Sequence, residues 1–149
     1  MRSEQKPESE ILEDYTTDYN LIPTTVFSPT EYSFVGLSEQ EAIEKYGEDN
    51  IEVYLKETTS LQNAIYTENT KFNFFKVITH LKDKERVIGM HYVGPGAEEV
   101  IGGFAVAMKL GMTKKDLDRS IGVHPSNTED FFLMKVTKRS GQDYRKGGC

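Results

Sequence analysis

Residues 71–93, KFNFFKVITHLKDKERVIGMHYV, decide the fold class. Residues 71–81 are rich in Phe, Val and Ile, a composition typical of a β-strand. The polar residues 82–85 predict a turn, and residues 86–93 predict a second strand that returns along the first. Two strands joined by so short a turn pair antiparallel, so the stretch is a hairpin.

Shorter elements precede the hairpin. Residues 24–27 predict a short strand, and residues 51–56 predict another, with apolar side chains at alternate positions. Between them, Ser38 and Glu41 have the spacing of a capping box that opens a helix, and Gly47 ends it. The sequence predicts a polar loop over residues 58–70.

Helices dominate after the hairpin. Residues 97–110 predict a helix with Gly102-Gly103 in its middle, and we expect another element to pack closely there because mid-helix glycine is otherwise unfavourable. A helical turn starts at residues 113–118, and a capping box over residues 126–129 opens a helix over residues 130–136. Since strands and helices do not alternate strictly, the predicted class is α+β, an antiparallel sheet with helices packed on it.

Composition excludes several function classes. The chain has 149 residues, a size typical of one domain, and its net charge of −6 argues against bulk binding of nucleic acid. It has no run of 18 apolar residues and no apolar stretch near Met1, so we expect neither a membrane span nor a secretory signal. The one cysteine, Cys149, excludes an internal disulfide framework and a Cys-based zinc site. A reducing compartment is therefore expected, namely the cytoplasm, with a mitochondrion as the alternative.

Three histidines are candidates for chemistry. His80 and His91 lie on predicted strands and could face either core or solvent. His124 precedes Pro125, which disfavours helix, and Glu129 follows five residues later. Glu129 either completes the capping box with Ser126 or orients the imidazole for proton transfer, as a carboxylate does in catalytic triads.

No phosphate-binding motif is present. The chain has no Gly-x-Gly-x-x-Gly after a strand, and Pro95 removes an amide donor from the Gly94-Pro95-Gly96 turn. We therefore expect that the chain alone binds no dinucleotide.

Four segments resemble the C-terminal dimerisation domain of the glutathione reductase and thioredoxin reductase flavoenzymes. They are residues 22–29 (IPTTVFSP), residues 35–39 (VGLSE), residues 86–101 (RVIGMHYVGPGAEEVI) and the His124-Pro125…Glu129 signature. The resemblance covers nearly nine tenths of the chain and implies a dimerisation domain over residues 18–136. Residues 1–17 are expected to be a disordered arm or linker, and residues 137–149 a flexible, redox-active tail.

The tail resembles one branch of the family. Residues 136–141 (VTKRSG) and the ending Gly148-Cys149 are similar to the animal-type thioredoxin reductases and their thioredoxin–glutathione reductase relatives, which end in Gly-Cys-selenocysteine-Gly. The chain stops where selenocysteine would follow, as it would if a UGA codon were taken as a stop. Ser126 stands where many relatives carry Thr.

The resemblance also implies a mechanism. Electrons pass from NADPH to FAD, to a Cys-x4-Cys disulfide, and then to the tail of the other subunit of a homodimer, which reduces thioredoxin. His124 would be the acid–base residue, with its backbone beside the partner's flavin; Glu129 would orient it, and Cys149 would be the tail thiol. The FAD and NADPH domains are absent, so the chain alone is expected to be inactive. The alternatives are a non-catalytic dimerisation module and a fragment of a thioredoxin–glutathione reductase.

Overall fold

One antiparallel sheet of five strands forms the centre of the molecule. The computed structural model describes Thr17 and residues 19–59 and 72–145. The strands are β1 (Thr24–Val26), β2 (Tyr32–Gly36), β3 (Ile51–Thr59), β4 (Phe72–His80) and β5 (Arg86–Val93). Their order across the sheet is β1-β2-β5-β4-β3, and each neighbouring pair is antiparallel.

The predicted hairpin is confirmed as β4 and β5. Their register runs from Phe74 opposite Val93 to His80 opposite Arg86, with a shift between Ile78 and Thr79. A 3-10 turn over Leu81–Asp83 follows β4, and the backbone then turns through left-handed angles, φ 55° at Lys84 and 56° at Glu85.

The sequence interpretation did not predict β2, which lies between β1 and β5. Its inward side chains are Ser33 and Val35, both fully buried, while Tyr32 and Phe34 on the other face are half-buried. The Ser33 hydroxyl is satisfied by a 2.6 Å hydrogen bond to the hydroxyl of Thr25 on β1. A buried serine hides the alternation of apolar and polar residues that normally reveals a strand.

The described residues form four α-helices that accompany the sheet. They are α1 (Glu39–Tyr46), α2 (Ala97–Lys109), α3 (Lys114–Arg119) and α4 (Glu129–Phe132). The predicted capping box of α1 is confirmed, because Ser38 and Glu41 bond to each other's backbone N–H groups. Gly47 ends this helix at φ 84°, and its N–H donates to the carbonyl of Ile43.

Apolar side chains pack on both faces of the sheet. The larger cluster lies where α2, α3 and α4 cover the sheet and includes Phe75, Tyr92, Phe104 and Phe131. The smaller cluster lies under α1 and contains Ala42, Ile51, Val53, Leu55, Ile78 and Ile88. Neighbouring strand residues such as Val77 and Ile78 point to opposite clusters, as the pleat requires. The predicted α+β class is therefore correct.

Three local predictions differ from the structure. A Cβ added to Gly102 or Gly103 would meet nothing within 4 Å in the described part of the chain, so the expected close packing is not found there. The helix predicted over residues 130–136 is only the four-residue α4. Thr58 and Thr59, assigned to a loop, extend β3. The rest of that predicted loop, residues 60–70, lies outside the described residues.

The predicted tail begins along the sheet edge. The N–H of Leu55 donates to the carbonyl of Val136 (3.0 Å), and the N–H of Glu57 donates to that of Tyr144 (3.1 Å). Residues 137–145 thus line β3. Cys149, with residues 146–148, lies outside the described residues, as does the predicted arm except for Thr17. Among the helices that the structure describes, none has the length and apolar character needed to cross a bilayer.

Candidate functional site

The loop between α3 and α4 carries His124 on the surface. The side chain of His124 is 63% exposed, and its neighbours Ile121 and Val123 are also exposed. The peptide bond between His124 and Pro125 is cis. The imidazole is therefore open to a molecule approaching from outside this chain.

The structure brings His124 and Glu129 together. Nδ1 of His124 lies 3.0 Å from Oε1 and 3.1 Å from Oε2 of Glu129, whose side chain is largely buried. An ionised carboxylate only accepts hydrogen bonds, so Nδ1 carries the hydrogen. Nε2 has no partner among the described residues and is left to exchange a proton.

Glu129 makes both of the contacts that its sequence position allowed, one with His124 and one with Ser126. Its Oε1 accepts from the N–H of Ser126 (3.3 Å), and its own N–H donates to the Ser126 hydroxyl (3.3 Å). These reciprocal bonds are those of a capping box, although Thr128 is the residue directly before α4. The cap holds the carboxylate in the position from which it contacts the imidazole.

Gly122 lets the loop lie directly on Glu129. A Cβ built on Gly122 would approach the Cβ of Glu129 to 2.5 Å and its Cα to 2.7 Å. Contacts this short do not occur between real side chains, so the loop path requires a glycine. The sequence interpretation did not assign Gly122 a role, although its position two residues before His124 was a usable signal.

The sequence interpretation also missed two side chains, those of Asn127 and Asp130, that attach the segment around Glu129 to the rest of the chain. Asn127 donates from Nδ2 to the carbonyl of Pro95 (3.0 Å) and accepts from Nδ2 of Asn73 (3.1 Å). On the other side of Glu129, Asp130 pairs with Lys56 (2.7 Å) and accepts from the hydroxyl of Thr58 (2.9 Å). These partners lie far apart in sequence, so spacing alone offered no signal for them.

The other two histidines have structural surroundings. His91 is buried; its Nε2 donates to the carbonyl of Leu37 (3.1 Å), so its Nδ1 accepts from the hydroxyl of Tyr32 (2.8 Å). Burial lowers the pKa of His91 below its ordinary value of 6.5. His80 stacks on Tyr46 with ring centroids 4.3 Å apart.

The turn before α2 does not fit a dinucleotide phosphate. The N–H groups of Gly96 and Ala97 already donate to Oε2 of Glu31, at 2.7 and 3.4 Å. A carboxylate of the chain itself therefore occupies the place where a phosphate would bind a helix N-terminus. No three His, Cys, Asp or Glu side chains gather into a metal site within the ranges that the structure describes.

Comparison with known proteins identifies the family. Residues 22–134 match the family described as pyridine nucleotide-disulphide oxidoreductase, dimerisation domain. Over 132 residues, the chain is 46% identical to thioredoxin reductase SEP1 of Emiliania huxleyi, covering 89% of this chain and 27% of that protein. It is 42% identical to the mitochondrial thioredoxin reductase 2 of Drosophila melanogaster (89% and 26%) and 40% identical to a thioredoxin reductase of Plasmodium falciparum isolate FCH-5 (91% and 28%).

The chain spans about a quarter of the length of these relatives. The matched residues include the five strands and four α-helices that the structure describes. They also include both members of the His124–Glu129 pair. The chain therefore belongs to the pyridine nucleotide-disulphide oxidoreductase family, and its fold is that family's dimerisation domain.

Proposed function

We propose that the chain is the C-terminal portion of a thioredoxin reductase that uses NADPH and FAD, in which His124 is the acid–base residue. The observation that carries the proposal is the exposed imidazole whose Nδ1 is held by Glu129 at 3.0 Å. The three relatives compared above are thioredoxin reductases, which supports the same reaction class.

The proposed role of His124 is proton transfer during thiol–disulfide exchange. An attacking thiolate forms a new S–S bond, and the second sulfur of the old disulfide leaves as a thiolate. Protonated His124 donates the hydrogen on Nε2 to that leaving sulfur; in the reverse direction, neutral His124 takes a proton from a thiol at the same atom. Glu129 holds the tautomer with hydrogen on Nδ1 and stabilises the imidazolium when it forms.

The reacting sulfurs are proposed to come from a partner subunit. His124 points to solvent, and residues 19–59 and 72–145 contain no cysteine, so the described part of the chain has the proton carrier without the disulfide. A homodimer built through this domain would bring the pair to the other subunit's disulfide. By resemblance, Cys149 supplies the tail thiol that passes electrons on to thioredoxin.

The cofactors are assigned to the part of the enzyme that this chain does not match. The turn before α2 is satisfied by Glu31 and does not fit a dinucleotide, so no step on the cofactors is assigned to these residues. The resemblance to the family implies that the His124 backbone lies beside a partner's flavin, and the sequence is the basis for proposing a location in the cytoplasm or in mitochondria.

A chimeric enzyme tests the proposal. Residues 22–134 replace the matching segment of the Emiliania huxleyi relative, which keeps its own cofactor domains and its own tail. We expect NADPH-dependent reduction of thioredoxin, and we expect His124→Gln to lower kcat by about 10²- to 10⁴-fold because proton transfer is lost.

His80→Gln is the matched control, because His80 stacks on Tyr46 and should change the rate little. Circular dichroism and flavin absorbance establish that each variant is folded and loaded. A His124→Gln chimera that keeps the parental rate would contradict the proposal and favour the non-catalytic dimerisation module.

A further inference from the structure

We infer that Asn127 is a positioning residue for the His124–Glu129 pair, acting through an amide bridge to buried Asn73 and to the carbonyl of Pro95. The inference deepens the proposed function and rests on it for its kinetic consequence. Its structural consequence is testable on this chain alone.

The site loop needs side-chain anchors because it has little regular structure. Residues 120–128 include no helix or strand residue, and the α4 helix that follows has only four residues. The loop nevertheless holds an exposed imidazole 3.0 Å from a largely buried carboxylate. Something outside the loop must fix its path.

The Asn127 amide makes such a connection at both of its ends. Its Nδ2 donates to the Pro95 carbonyl (3.0 Å), in the turn after β5, and its Oδ1 accepts from Asn73 on β4 (3.1 Å). Asn73 is only 1% exposed, so its amide has no access to water as a substitute partner. The bridge therefore ties the loop to two neighbouring strands of the sheet.

The bridge closes into a network through Tyr92. The fully buried hydroxyl of Tyr92 lies 3.1 Å from the Pro95 carbonyl and 3.4 Å from Oδ1 of Asn73. The single hydrogen of this hydroxyl goes to the nearer acceptor, the Pro95 carbonyl, and Oδ1 of Asn73 lies beside it, so Tyr92 packs against both groups that Asn127 contacts. Gly94 leaves room for this arrangement, since a Cβ there would approach Oδ1 of Asn73 to 2.5 Å and the Tyr92 hydroxyl to 2.6 Å.

The place of Asn127 in the chain connects the network to the pair. Asn127 lies in the four-residue span between His124 and Glu129, so its position sets how the backbone closes between the imidazole and the carboxylate. Asp130, on the other side of Glu129, is fixed separately by Lys56 and Thr58. Release of Asn127 would free the His124 side of the pair while α4 stays attached to β3.

The contacts require an amide, which must donate and accept at once. Aspartate at position 127 could still accept from Asn73, but it could not donate to Pro95. Alanine would leave the Nδ2 group of Asn73 buried without the acceptor that Asn127 provides. Asn127→Asp therefore breaks the bridge at its Pro95 end, and Asn127→Ala breaks it at both ends.

Nuclear magnetic resonance on the full 149-residue chain tests the structural consequence. The ¹⁵N and proton signals of the His124 ring report which nitrogen carries hydrogen and how fast that hydrogen exchanges with water. In both Asn127 variants we expect the Nδ1 hydrogen to exchange about 10-fold faster or more, as in Glu129→Gln, because the hydrogen bond to Glu129 opens.

Ile88→Ala serves as the control for lost stability. Ile88 belongs to the cluster under α1, so its truncation should lower the unfolding temperature without moving the His124 signals. Folded Asn127 variants whose His124 ring spectrum and exchange rate equal those of the parent would overturn the inference. If one Asn127 variant fails to fold, the other decides.

Kinetics in the chimeric enzyme test whether Asn127 acts through Glu129. We expect Asn127→Ala to lower kcat by about 10- to 100-fold, with the KM for thioredoxin unchanged, because the imidazole is misplaced. In a Glu129→Gln background the same change should have no further effect. Losses that multiply would show an independent structural role and overturn the inference. An inactive parental chimera would instead count against the proposed function, and the resonance experiment would still decide the role of Asn127.

Discussion

His91 and His124 differ in what their two ring nitrogens contact. His91 is buried and uses both nitrogens inside the protein, with Tyr32 and Leu37, whereas His124 uses one nitrogen and turns the other to solvent. A ring with both nitrogens engaged in fixed roles is a structural element. A ring with one oriented nitrogen and one open nitrogen can move protons.

The burial of His91 predicts a loss of stability on acidification. Its pKa is below 6.5 in the folded chain because burial disfavours the charged ring, so the unfolded chain binds a proton at a higher pH than the folded chain does. The free energy of unfolding should therefore fall as the pH drops below 6.5, by at most about 1.4 kcal/mol per pH unit, until the folded-state pKa is reached.

Urea unfolding of the chain at pH 7, 6 and 5 measures this effect, with His91→Gln as the comparison. The carboxyl groups with lowered pKa, among them Glu39 and Asp118, titrate at lower pH and leave this window clear. A parental chain that loses no more stability than His91→Gln between pH 6.5 and 5 would show that the account of His91 is wrong.

The close contact between Gly122 and Glu129 yields a second prediction about a single residue. In Gly122→Ala the new methyl group overlaps the Cβ of Glu129, so the loop or the carboxylate must move. We expect a cost of roughly 1–3 kcal/mol in unfolding free energy, typical of overpacking, and a fall in the rate of the chimeric enzyme. Val123 is an exposed residue of the same loop, so Val123→Ala should change neither the unfolding free energy nor the rate of the chimeric enzyme. Equal behaviour of the two variants in thermal unfolding and in the thioredoxin assay would count against the contact.

Among the elements, those with a strong pattern and clear ends were predictable. The hairpin and α2 have long apolar patterns bounded by turn residues or glycine, and both were placed within one residue of their ends. The strand β2 was missed because Ser33 is buried against Thr25. Helix α4 ends early although Met134 is buried, because the chain turns to pair Val136 with Leu55 on β3.

At the candidate site, too, some contacts were predictable from the sequence and others were not. The His124–Glu129 pair was predictable because Glu129 comes only five positions after His124 and proline fixes the local path. The contacts of Asn127 with Asn73 and of Asp130 with Lys56 depend on how the sheet brings distant strands together. Such contacts leave no periodic trace in a single sequence, so no local rule could have found them.

The start of the predicted tail, residues 137–145, is held against the sheet edge by several side chains. Nη2 of Arg139 donates to the carbonyls of Glu48 (2.9 Å) and Ile51 (3.2 Å), and Lys138 pairs with Glu39. The ring of Tyr144 packs edge-on against Phe74, with centroids 6.1 Å apart. Residues 137–144 are therefore expected to stay attached to the sheet edge.

Trypsin provides the corresponding prediction. The bond after Arg145, whose side chain is largely exposed, should be cut before the bond after Arg139, which lies within the 3-10 turn Lys138–Ser140. Tyr144→Ala should speed cutting after Arg139 because one anchor is removed. Mass spectrometry of the timed digest measures both rates. Cutting after Arg139 that is as fast as cutting after Arg145 in the parental chain would contradict the anchored arrangement.

At the scale of the whole molecule, exposed apolar side chains lie on α2 and around the site loop. The most exposed of these are Val106, Leu110, Ile121, Val123 and Leu133. Gly102 and Gly103 leave α2 open to close approach. A second subunit that covered this surface would bury apolar area and receive the His124 loop at the same time, as the proposed dimer requires.

Mixed dimers show whether His124 of one subunit serves the disulfide of its partner. One chimeric subunit carries His124→Gln, and the other carries serines in place of the Cys-x4-Cys pair that the proposed mechanism requires, so we expect each homodimer to be inactive. If His124 serves the partner's disulfide, mixed dimers regain one working site, and random mixing of equal amounts should restore about a quarter of the parental thioredoxin reductase rate. If His124 serves its own subunit, each subunit of the mixed dimer lacks one essential part, and the mixture would stay inactive.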